Sequence, residues 1–210
     1  MKTFLFNILL SSAIAVPFIG IMSGCSDEDE NRFRPGSAQK PEPVTPEEGL
    51  DYTKLTAENH PRLLMNATDF TVLKDKISSN TSENLTLLHN TIIGLCNSKG
   101  MSSSALTYKL DASNKRILDV SREALLRIFT CAYAYRTTGD SKYLTHAEAD
   151  INAVCNFSDW NSKRHFLDVG EMATAVALGY DWLYNDLSET TRKKAADALL
   201  NFAFKPAQNK

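Results

Sequence analysis

The chain has 210 residues, with 23 Lys+Arg against 25 Asp+Glu, giving a formal net charge of −2. That balance excludes the broad basic footprint of a nucleic-acid binder, so an anionic ligand would have to be met by local basic residues. The hydrophobic content of 43% fits a globular protein, and roughly 150 residues beyond the N-terminal region suffice for one domain with a sizeable core.

The first 24 residues read as an export signal. Lys2 supplies a basic start, Phe4 to Ile21 an apolar core, and Ser23-Gly24 the small residues before Cys25. Asn7, Ser11, Ser12 and Pro17 interrupt the core and acids follow it, which argues against a permanent span. Ser23-Gly24-Cys25 is a lipobox pattern, predicting cleavage before Cys25 and stable anchoring through acyl chains on its thiol. Asp27-Glu28-Asp29-Glu30 resembles the acidic tag behind the lipid-bearing Cys of surface-exposed lipoproteins in Bacteroidetes-type bacteria. The expected location is the outer membrane, surface-exposed, with a periplasm-facing anchor as the alternative. Residues 25–57 carry Pro35, Pro41, Pro43 and Pro46 among polar residues without apolar period, which predicts a semi-extended tether.

From residue 58 the pattern is helical throughout. Thr68-Asp69 is a start signal for a first helix with Phe70, Leu73 and Ile77 at helical spacing. A second runs from about Ser82 to Asn97 with Leu85, Leu88, Ile92 and Cys96 on one stripe. The segment from Ser98 to Ser113 reads as a loop, in which Leu106, Tyr108 and Leu110 alternate too briefly for a strand. A third helix, about Lys115 to Thr138, aligns Ile117, Ala124, Ile128, Cys131 and Tyr135, and Gly139-Asp140 reads as a stop followed by a start. The fourth, about Ser141 to Asn156, aligns Leu144, Ala147, Ile151 and Cys155. The fifth spans about Leu167 to Tyr184, and Ser188 caps a sixth reaching about Phe204. Short joints at 139–140 and 185–188 predict antiparallel packing of the flanking helices. No strict repeat period is present; the run from Ala132 to Tyr143 is faintly similar to a tetratricopeptide unit.

With Cys25 lipidated, three cysteines remain: Cys96, Cys131 and Cys155. One of three cannot pair within the chain, and each lies in an apolar helical context, so buried free thiols are expected rather than a disulfide framework. There is no CxxC and no Cys/His cluster at metal spacing, so no metal and no cofactor is expected.

Chemistry concentrates in the stretch from Trp160 to Met172. Lys163, Arg164 and His165 stand ahead of a helix start, where backbone N–H groups and the helix dipole favour anions. Trp160 offers a face on which a sugar ring could stack, while Arg and His pair with sugar carboxylates or sulfates. Asp168 and Glu171 are three apart on one helical face. Each has a plainer reading: Asp168 as a dipole partner, His165 as a surface residue. Glu171, followed by the apolar run Met172 to Ala177, has to be paired or functional if it is buried. Tyr180, Trp182 and Tyr184 read first as core aromatics.

His60-Pro61-Arg62-Leu63-Leu64 with Phe70 to Lys74 resembles the opening of the heparinase II/III-like polysaccharide lyases. Phe166-Leu167-Asp168-Val169-Gly170-Glu171-Met172, continuing through Gly179-Tyr180-Asp181-Trp182-Leu183-Tyr184 to Leu187-Ser188 and Arg192, resembles them further, in the same order and approximate spacing. The likeness covers about residues 58–204. It implies an all-α N-terminal part, antiparallel helical hairpins forming part of an α/α toroid, followed by a β-sandwich. The implied reaction is β-elimination at a uronic acid in an anionic polysaccharide such as heparin or heparan sulfate. The resemblance carries over to the cleft only Glu171, with His165 and Asp168 beside it. Together with the residue chemistry, the expected catalytic residues are Glu171 and His165, and the expected substrate-binding residues Trp160, Arg164, Asp168 and Tyr180. The Asn-rich segment and the later Tyr and His residues of such lyases have no counterpart before Lys210. Residues 58–210 are therefore expected to be a truncated toroid, inactive alone, that lacks its second half and sandwich as partners. A non-catalytic glycan-binding helical lipoprotein of a polysaccharide uptake system is the alternative.

Overall fold

The computed structural model describes residues 59–208, so the export signal, Cys25 and the tether predicted for residues 1–57 lie outside the described residues. Those residues form helices and loops, with no strand among them. Helix α1 (Ala67–Ser78) begins at Asn66, whose side chain accepts from the Asp69 N–H while the Asp69 carboxylate accepts from the Asn66 N–H. The exchange satisfies donors that a helix start otherwise leaves orphaned. Ser82 caps α2 (Glu83–Leu95), which runs on into a π-helical turn, Cys96–Gly100. Helix α3 (Leu118–Thr138) stops at Gly139, whose φ of 77° is a left-handed conformation that costs glycine nothing. Asp140 then caps α4 (Ser141–Cys155). After a loop comes α5 (Phe166–Leu183), and Ser188 caps α6 (Glu189–Ala198). A π-helical segment, Leu199–Phe204, and a last turn, α7 (Lys205–Gln208), follow.

Helix α3 is the centre of the packing. It lies against α5, α4 and the π-helical turn, and α4 in turn packs on α6. Ile117, Ile128, Ile151, Met172, Val176 and Leu183 are fully buried between these helices. At Gly179 the crossing is tight: a Cβ there would stand 2.5 Å from Ile128 Cγ2 and 2.9 Å from Ile151 Cδ1. The close approach of α5 therefore depends on the missing side chain.

The helices depart from the sequence expectations in places. Helix α3 starts at Leu118 rather than Lys115 because carboxylates take up the preceding N–H groups. Asp111 accepts from Lys115 N and Asp168 from Ile117 N, at 2.9 Å each. The segment between the π-helical turn and α3 stays irregular, yet it is pinned: Arg127 donates to the carbonyls of Ser102 and Ser104, and Leu106 is buried. On α2, Leu88 is exposed while Leu95 and Cys96 are buried, so only the rear of that helix enters the core. The sixth helix is not uniform, since its second half widens into the π-helical segment. No helix among the described residues is long and apolar enough to cross a membrane.

Candidate functional site

The surface singled out by sequence lies at the front of α5. Asn161 adopts a left-handed φ of 63°, which Asn tolerates better than most residues, and its carbonyl accepts from the N–H groups of Arg164 and His165. The turn aims the Asn161 amide inward, where it donates to Lys115 O at 2.9 Å and Asp168 Oδ2 at 3.1 Å. Asp168 also accepts from Arg116 Nη2 at 2.7 Å, Arg116 Nε at 3.1 Å and Ile117 N at 2.9 Å. It has no exposed surface. Asp168 is thus a clasp between the starts of α3 and α5, and the substrate-binding role expected of it is corrected: its oxygens are taken by protein donors.

Trp160 is corrected for a similar reason. Its ring is fully buried, its indole N–H donates to Val154 O at 3.0 Å, and Phe202 packs edge-on against it. A ring in that setting offers no face to a sugar. Lys163, Arg164 and His165, by contrast, are exposed. His165 occupies the N-cap position of α5 without a side-chain capping bond. One turn further, Glu171 keeps a fifth of its side chain in solvent and accepts from Arg122 Nε of α3 at 3.2 and 3.3 Å. The front of α5 therefore carries a solvent-accessible carboxylate paired with a guanidinium. Exposed basic residues also stand in the segments that lead into the two helices, Lys115 ahead of α3 and Lys163 and Arg164 ahead of α5. Such a surface can hold a sugar carboxylate or sulfate and offer one carboxylate to a proton.

Tyr180 lies elsewhere. Nine residues beyond Glu171 on the same helix, it is displaced by about 13 Å along the axis. Its ring meets His60 edge-on at 5.8 Å and Tyr184 at 5.2 Å, and burial pushes its hydroxyl above its ordinary value. Tyr180, expected as substrate-binding, belongs to the rear of α5, apart from Glu171 and His165 at its front.

The rear end explains much of the sequence from Gly179 to Tyr184. Asp181, buried, accepts from His60 Nδ1 at 2.6 Å and from the N–H groups of Arg62 and Leu63 at 2.8 Å each. Trp182, in the core, donates its indole N–H to Leu63 O at 2.8 Å. Tyr184 stacks on the His60 ring at 4.0 Å, and Arg192 covers its other surroundings at 5.1 Å while donating to Tyr184 O and Leu187 O. Gly179 permits the close crossing, and Leu183 is fully buried.

A third buried acid, Asp150 on α4, takes a two-point bond from Arg127 at 2.6 and 2.9 Å. Burial pushes its carboxyl up to about 6, against the opposing pull of Arg127. Sequence reasoning missed Arg116, Arg122, His60 and Asp181. Of these Asp181 alone carried a local signal, an acid inside an aromatic and apolar run. Among the described residues no group of three His, Cys, Asp or Glu side chains could hold a metal ion.

The chain matches no protein-family model and no curated protein sequence. What the front of α5 does has to be argued from its own chemistry.

Proposed function

We propose that the protein is a lipid-anchored polysaccharide lyase of the heparinase II/III-like type, acting on uronic-acid glycans by β-elimination. In this reading α3 with α4 and α5 with α6 are antiparallel hairpins of an α/α toroid. The observation that carries it is the Glu171–Arg122 pair, partly open to solvent, on the helix whose start carries exposed Lys163, Arg164 and His165. Arg122 and Arg164 would neutralise the uronate carboxylate, which makes the C5 proton removable. Glu171 would take that proton; the electron pair forms the C4–C5 double bond as the glycosidic oxygen leaves and is protonated, with His165 as the candidate donor. A further support is that the two segments carrying the family resemblance, His60 to Leu64 and Gly179 to Tyr184, are bonded to each other through Asp181 and Trp182. Anchoring through lipid on Cys25 would place this surface at the outer membrane.

The direct test is ultraviolet absorbance of the unsaturated uronate product, read on a panel of heparin-like, chondroitin-like and alginate-like polymers. Glu171→Ala should lower kcat/KM by on the order of 10²-fold while helical dichroism is unchanged, as expected for loss of an acid/base group. An active protein indifferent to that substitution defeats the assignment of Glu171. A second reading, a non-catalytic glycan-binding lipoprotein, is favoured by the pairing of Glu171 with Arg122, which occupies the carboxylate that the lyase reading needs as a base. Salt-sensitive binding of the same polymers with no rise in absorbance would decide for it.

A further inference from the structure

The thiols of Cys96 and Cys131 lie 3.6 Å apart, sulfur to sulfur, although 35 residues separate them in sequence. Cys96 opens the π-helical turn that ends α2, and Cys131 sits in the middle of α3; neither has any exposed surface. Both sulfurs rest against Gly100, where a Cβ would stand 3.3 Å from Cys96 Sγ, 3.5 Å from Cys131 Sγ and 2.5 Å from Thr130 Oγ1. The π-helical turn thus does two things: it carries Cys96 onto α3, and it brings round a residue without a side chain to leave room for the pair. Cys155 is apart from both, on α4. The parity argument from three cysteines excludes full pairing but not this one pair with Cys155 left over.

We propose that Cys96 and Cys131 are a disulfide-forming pair that staples the end of α2 to α3. A disulfide needs the sulfurs near 2.05 Å, about 1.5 Å closer than they stand, and rotation about χ1 is the movement that brings them together. The oxidant is a small-molecule disulfide or the disulfide of a protein oxidant. The thiolate of Cys96 attacks one of its sulfurs and expels a thiolate, giving a mixed disulfide; the thiolate of Cys131 then attacks the Cys96 sulfur and expels the second. Two protein thiols lose two protons and two electrons, and the oxidant's disulfide becomes two thiols. In the closed fold the hydrogen bond between the two cysteines lowers the Cys96 pKa and raises that of Cys131. Since both sulfurs are buried, the exchange occurs during folding or when the turn 96–100 opens.

The proposal is independent of the glycan reading, and its test uses the purified full chain, so the compartment does not enter. The reduced protein is equilibrated with reduced and oxidised glutathione at a series of ratios, quenched with acid, alkylated in denaturant and mapped by peptide mass. The expected result is one intramolecular cross-link joining the peptides of Cys96 and Cys131, with Cys155 alkylated throughout. The oxidised protein should also melt several degrees above the reduced one, because the cross-link restricts the unfolded chain. Cys155→Ser should leave the cross-link intact, and Gly100→Ala, which crowds both sulfurs, should shift its formation to more oxidising ratios. Cys96 and Cys131 both alkylated at every ratio, or a cross-link that runs to Cys155 or between molecules, overturns the pairing. An oxidised form that melts no higher than the reduced one overturns the staple.

Discussion

The two ends of α5 each present acids to the neighbouring chain, and they use them in opposite ways. At the rear, Asp181 is sealed from water and spends both oxygens on His60 and on two backbone N–H groups of the segment that leads into the fold. At the front, Asp168 does the same for the start of α3, but Glu171, one turn along, stays at the surface with Arg122. The difference lies in what each carboxylate replaces. A buried acid that accepts several backbone and side-chain donors completes an irregular segment that has no helix or ladder to satisfy it. A surface acid with one long, exposed cation contributes little to the fold and is available for other work.

Substitutions that break the comparison should differ by size. Asp181→Ala leaves His60 and two amide groups without their acceptor inside the protein. A loss of about 3–5 kcal/mol is expected, of the order seen when one partner of a buried bonded charge is removed. Urea unfolding measures it, and a loss below about 1 kcal/mol would put Asp181 in the same class as Glu171. Asp168→Ala should cost somewhat less, roughly 2–3 kcal/mol, because Arg116 can turn toward water while Ile117 N and the Asn161 amide cannot. Equal losses at the two sites would show that the exposure of Arg116 does not matter.

The clasp at Asp150 adds a dependence on pH. Its folded value, about 6, lies above the ordinary 3.8. The group therefore contributes stability that is fully present below 3.8 and is lost as pH rises through about 6. The unfolding free energy of the parent relative to Asp150→Asn should fall over that interval, and a flat difference would mean the carboxyl is not raised. Smallest of all, Glu171→Ala should change stability by less than about 1 kcal/mol. A large loss there would erase the distinction between the two faces of α5 and with it the case for a functional carboxylate.

Much of the helical order could be read from the sequence, because its signals are local. Gly139-Asp140 marks a stop and a start within two residues, Ser82 and Ser188 cap the helices placed behind them, and the stripe Ile117, Ala124, Ile128, Cys131 is buried as its spacing requires. The site was less legible. Trp160 and Asp168 have the chemistry of ligand-binding groups, but their surroundings are set by Phe202, Arg116 and Asn161, whose proximity no local pattern encodes. Asp181 and His60 are 121 residues apart. The sequence around Glu171 suggested burial because the run behind it is apolar; the helix in fact turns Glu171 toward Arg122 while Met172, Ala175 and Val176 face the core.

The clasp at His60 also has a mechanical side. The described residues begin at Asn59, and His60 is bonded to Asp181 through its ring and to Asn185 through its carbonyl. A pull applied at Asn59 would therefore enter the described residues at the rear of α5, the helix packed most closely on α3, rather than peel α1 away from its neighbours. A buried hydrogen bond resists a steady pull best where water cannot enter to replace it, and the stacked rings of Tyr184 and His60 help keep it out. Within the described residues, a force applied at that end meets the grip on the ring of His60 before it reaches α1.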